Sequence, residues 1–97
     1  MVEKELIQLI NKQMDTDISV DSHMGVLKEK LIKFINDLIQ NNFQKLIAIL
    51  YKVDVDESKL KKLLREGIGK DTADIIATQI IEREIQKIET RKQFERK

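Results

Sequence analysis

The sequence predicts an all-α fold, a compact bundle of about five helices with a long C-terminal helix. Three observations lead there. The 97 residues include no proline and only three glycines, whereas an all-β domain of this length needs turn residues far more often. Charged residues make up 36% and apolar residues 41%, with few aromatics, which suits amphipathic helices with Lys- and Glu-rich outer faces. Apolar residues also recur at helical spacing in one segment after another. A chain this long can bury a core without staples, so residues 1–97 are expected to form one domain.

The first helix is expected at Val2–Met14, where Val2, Leu6, Leu9, Ile10 and Met14 share a face. Asp15, Thr16 and Asp17 end it. Residues 15–22 are rich in Asp, Ser and Thr and read as a loop and as the internal hinge. That leaves the first helix (residues 1–14) the most loosely attached element. The second helix is expected from about residue 22 to 40, with Leu27, Leu31, Phe34, Ile35 and Leu38 inward. Asn42 then suits an N-cap, because its side-chain oxygen can accept a free backbone N–H.

The third helix, residues 43–53, is apolar on most sides: Phe43, Leu46, Ile47, Ile49, Leu50 and Tyr51. A helix with so little polar surface is expected to be central and covered. The fourth starts after Asp54-Val55-Asp56, where either Asp can cap. Leu60, Leu63 and Leu64 point inward; Lys59, Lys61, Lys62 and Arg65 point outward. Gly67 suits the helix stop, and Gly69-Lys70 completes a tight connection. Asp71 caps the last helix, with Asp74 favourable beside its positive end.

Catalytic and ligand chemistry finds little support. The acidic run from Asp54 resembles the start of a calcium loop, but Lys59 and Arg65 stand where glycine and glutamate are needed. Asp15, Asp17, Ser19 and Asp21 fail likewise, with Val20 and Val26 at those positions. A phosphate loop around Gly69-Lys70 would need glycine at Leu64 and Ser or Thr at Asp71. His23 is the only histidine, and with Asp21 and Ser22 it reads as a loop cap. No enzyme activity, cofactor or metal is expected.

There is no cysteine, which fits a reducing cytoplasm, and the longest apolar run, residues 46–51, falls far short of the roughly 20 residues a membrane span needs. Nor does the charge-alternating N-terminus read as a secretory signal. Net charge is +1, so nothing demands an anionic partner. Nucleic-acid binding through Lys59, Lys61, Lys62 and Arg65, as in a helix-turn-helix, is the alternative reading. Asp71 and Asp74 oppose it, because they crowd the recognition-helix end.

The functional lead is the last helix. Ala73, Ile76, Ala77, Ile80 and Ile81 make a broad core face, but Glu84 falls in its middle. A lone carboxylate is expensive to bury. Either Glu84 finds a cation or the helix leaves the core near Glu82, and departure is the expectation. Ile81, Ile85 and Ile88 then remain as a narrow seam to be covered by the first helix, a second copy or another protein. Residues 89–97 are expected to form an exposed tail. The reading is a non-catalytic protein–protein interaction or self-association module acting through that seam.

Three stretches carry a resemblance. They are Phe34-Ile35-Asn36-Asp37-Leu38-Ile39 through Leu50-Tyr51-Lys52-Val53-Asp54-Val55; Lys59-Leu60-Lys61-Lys62-Leu63-Leu64; and Ile80-Ile81-Glu82-Arg83 through Gln86-Lys87-Ile88-Glu89-Thr90-Arg91. From about residue 27 to 94 the chain resembles a family of short, uncharacterised, all-helical bacterial proteins with no assigned activity. The resemblance implies a compact helical domain in a bacterial cytosol and transfers no functional residue.

Overall fold

The computed structural model describes residues 2–66 and 71–95. Five helices make up the fold: α1 (Val2–Met14), α2 (Met24–Asn41), α3 (Phe43–Val53), α4 (Glu57–Glu66) and α5 (Thr72–Glu95). The described residues contain no strand. The expected Gly67 helix stop and Gly69-Lys70 connection lie outside the described residues.

Local chemistry sets the helix ends. Asp15 and Asp54 take left-handed backbone conformations just past α1 and α3, which Asp tolerates better than most residues. The Asp54 N–H donates to the carbonyls of Leu50 and Tyr51, closing α3. Asn42 Oδ1 accepts from Lys45 N at 3.2 Å, and Asp56 Oδ1 accepts from Lys59 N at 3.1 Å. Asp71 Oδ1 accepts from Ala73 N at 3.2 Å. Each bond satisfies an N–H that a helix start leaves without an internal partner.

The central helix is α5, not α3. It packs against α1, α2, α3 and α4. Ala73, Ile75, Ile76, Ala77, Gln79, Ile80 and Ile81 are all buried, so its first half is covered on nearly every side. Ala73 and Ala77 suit that place, since a small side chain lets a neighbouring backbone come close. The expectation for α3 fails for a specific reason: it carries two apolar faces. Leu46, Ile49 and Val53 are buried, while Phe43 is 54% and Tyr51 77% exposed.

The first helix is also better held than expected. Leu6, Ile7, Ile10 and Met14 are essentially inaccessible, and α1 packs on α5 and α3. The supposed hinge is clamped by one side chain. Asn11 Nδ2 donates to the Ile18 carbonyl at 2.9 Å, and Asn11 Oδ1 accepts from Ile18 N at 2.9 Å and Thr16 Oγ1 at 2.8 Å. Ile18 itself is buried in the core. The polar composition of the loop hides this anchor.

Candidate functional site

The expected seam is not a free surface. Ile81 and Ile88 are buried, and Ile85 is half-buried against the same core cluster that contains Leu6, Ile7 and Ile10. Helix α5 does not leave the core near Glu82. Glu84 is fully buried, and the cation it finds is Lys87, whose Nζ lies 3.3 Å from Oε1. Burial pushes the Glu84 carboxyl above the usual carboxylate range; Lys87, and more weakly Arg83, pull it back. Further along, Glu89, Thr90, Arg91 and Gln93 are exposed, while Lys92 pairs with Glu5 of α1 at 3.2 Å.

The exposed apolar surface lies elsewhere. Helices α3 and α4 join through Asp54-Val55-Asp56 but barely touch each other, and each packs instead on α5. The space between them is an open groove of about 580 Å³. Leu46, Leu50, Leu60 and Ile76 line it, with Phe43, Tyr51 and Leu64 among its more exposed side chains. Phe43, Ile47 and Tyr51 follow one another at four-residue intervals, so they form a continuous row along α3. Single exposed apolar residues are ordinary; here the row forms part of the lining of a concave apolar surface.

The groove is electrically uneven. Asp54, Asp56 and Glu57 stand at the turn end. Arg83 fixes that end to α5: its Nε donates to the Asp54 carbonyl at 3.0 Å and its Nη2 to Asp54 Oδ2 at 3.1 Å. On α4, Lys61 pairs with Glu57 at 3.2 Å, and Arg65 follows one turn later with no ion-pair partner among the described residues. A smaller polar depression alongside is lined by Lys59, Gln79, Glu82 and Arg83, where Lys59 pairs with Glu82 at 3.8 Å and Arg83 with Asp54.

Compared with known proteins, the chain matches no family model, no curated protein and no solved structure. Its geometry therefore has to speak for itself. The basic face of α4 is partly engaged: Lys59 and Lys61 hold acidic partners, while Lys62 and Arg65 are exposed and hold none among the described residues. His23 is exposed at the N-cap of α2 and makes no side-chain cap bond. Among the described residues no three His, Asp or Glu side chains are grouped to hold a metal ion. No described helix is long and apolar enough to cross a membrane.

Sequence reasoning missed the groove because it took the outer face of α3 as one more buried face. The signal was present in Phe43, Ile47 and Tyr51, a second row offset from Leu46, Ile49 and Val53.

Proposed function

We propose that this chain is a non-catalytic self-association module that pairs with a second copy through the groove between α3 and α4. The observation that carries the reading is the row of exposed Phe43, half-buried Ile47 and exposed Tyr51 that lines one side of that groove. A row spaced i, i+4, i+8 is what an amphipathic helix lays into an apolar groove. Here row and groove belong to the same patch, which is the condition for an isologous two-fold contact. Charge favours the same occupant. Asp54, Asp56 and Glu57 make one end of the groove acidic, and Arg65, exposed on α4 outside the groove lining, is the basic residue we assign to meet that end in a two-fold copy.

The nucleic-acid reading is weaker, since two of the four basic residues of α4 already hold carboxylates. The cysteine-free sequence suits a reducing compartment, and the proposed setting is the bacterial cytosol that the family resemblance implies.

Sedimentation velocity across a concentration series tests the proposal. The wild type should dimerise, and Tyr51→Glu and Phe43→Glu should stay monomeric with unchanged helical circular dichroism. Arg65→Glu should weaken pairing, and adding Glu57→Arg in the same chain should restore it. A wild type that is monomeric at every concentration overturns the reading and leaves the groove to a foreign helix.

A further inference from the structure

Two buried side-chain oxygens have no hydrogen-bond partner among the described residues: Oε2 of Glu84 on α5 and Oε1 of Gln13 on α1. Both are acceptors when Glu84 is ionised, so neither can satisfy the other. Burying such an atom unpaired costs about 1–3 kcal/mol, and two in one small core call for a common explanation.

The register of α1 on α5 supplies one. Glu5 and Lys92 are joined at 3.2 Å. If α1 ran parallel to α5 from that point, Ile10 and Met14 would lie beyond the end of the described helix. They are instead fully buried in the core with Ile80 and Ile88. Hence α1 runs antiparallel to α5. Glu5, Leu9 and Gln13 form an i, i+4, i+8 row on α1, and Lys92, Ile88 and Glu84 form the matching row on α5. Each row spans about 12 Å at 1.5 Å per residue. With the ion pair at one end of the two rows, that register sets Gln13 and Glu84, which carry the two oxygens, opposite each other at the other end.

We propose that Glu84 is held as the neutral acid and that its Oε2 hydroxyl donates to Gln13 Oε1, closing a proton-dependent latch between α1 and α5. One shared proton satisfies both orphaned atoms, and Oε1 of Glu84 still accepts from Lys87 Nζ. Desolvation acts in the same direction, because burial disfavours the carboxylate more than Lys87 and Arg83 favour it. The cations near Glu84 are those two residues of its own helix, and Arg83 is itself held by Asp54. The packed neighbours add only peripheral charge. Lys12 on α1, Lys33 and Asp37 on α2, and Lys52 on α3 are exposed, and Lys59 on α4 pairs with Glu82. Losing the proton leaves a buried carboxylate facing an amide oxygen across the contact that covers Ile88. The latch thus couples the docking of α1 to pH, and with it the cover of the Ile81, Ile85 and Ile88 seam.

Carboxyl carbon NMR of Glu84 through a pH titration tests the latch, with amide exchange of α1 as the second readout. The wild-type midpoint should lie above that of an ordinary glutamate. Gln13→Met should lower it, because the neutral acid loses its acceptor. A midpoint that rises, as it would if the Gln13 amide N–H donated to a carboxylate, overturns the proposal, and so does one that stays in place. As Glu84 loses its proton, protection of the Leu6, Ile7 and Ile10 amides should fall roughly twofold to tenfold, the equivalent of one net hydrogen bond. Glu84→Gln keeps a donor toward Gln13 at every pH, so its α1 protection should follow only the intrinsic exchange rate. A wild-type pH dependence that persists in Glu84→Gln overturns the latch.

Discussion

Lys87 places its Nζ 3.3 Å from Oε1 of Glu84, a carboxyl group with no solvent exposure at the middle of the longest helix. The pair lies three residues apart on one helix, so the cation arrives with the fold rather than from a distant loop. It lets α5 continue through the core where the apolar pattern alone implies an exit. Lys87 keeps its charged end partly in water, with its side chain 26% exposed, while its stem covers the acid.

That arrangement predicts a pH dependence of stability. Burial raises the folded-state pKa of Glu84 above its unfolded value of about 4.3. The folded state therefore binds the proton more tightly than the unfolded chain does. The resulting stabilisation is full below the unfolded pKa and is lost as pH rises through the folded one. Urea unfolding of wild type and Glu84→Gln over a pH series should show the wild type losing ground as pH rises. A constant difference between the two would refute this.

Lys87→Met should push the Glu84 carboxyl further up, because Lys87 is the strongest influence holding it down. The variant should lose about 1–2 kcal/mol, less than a fully buried pair would, since Lys87 is partly solvated. Both effects can be read from one set of denaturation curves recorded against pH.

Ile88→Ala should cost about 2–5 kcal/mol, the usual range for emptying a fully buried aliphatic site. An exposed seam residue would cost a few tenths. Chemical denaturation separates the two outcomes by a wide margin.

Asn11→Ala removes three hydrogen bonds that hold the loop after α1, and Ile18 N loses its acceptor. A loss of about 1–3 kcal/mol is expected, with faster amide exchange concentrated in residues 15–22. Uniformly faster exchange across the chain would show instead that Asn11 is no local clamp.

Tyr51→Ser should leave stability within about 0.5 kcal/mol of wild type, because the ring is 77% exposed in the single chain. Any stabilisation that depends on protein concentration should weaken in the same variant, since pairing stabilises by mass action. Thermal melts at two concentrations test both statements.

Much of the fold was legible in the sequence. The helical periods of residues 2–14 and 43–53 mark two of the five helices closely, the stretch 71–97 reads as one long helix where α5 lies, and Asn42, Asp56 and Asp71 mark helix starts. These are local properties. A cap needs a side-chain oxygen and an N–H two or three residues away, and an amphipathic period is written along a single segment.

What covers each face was decided only by the tertiary structure. The outer row of α3 has the same apolar composition as a buried one, yet Tyr51 faces water while Ile49 does not. Glu84 reads as a surface residue, and it becomes a core residue because α5 is surrounded and Lys87 stands one turn on. Asn11 reads as one polar residue among many until Ile18 folds back to it. A period in the sequence reports what a helix offers on each side. Which side is taken depends on neighbours distant along the chain, and burial is a property of that packing.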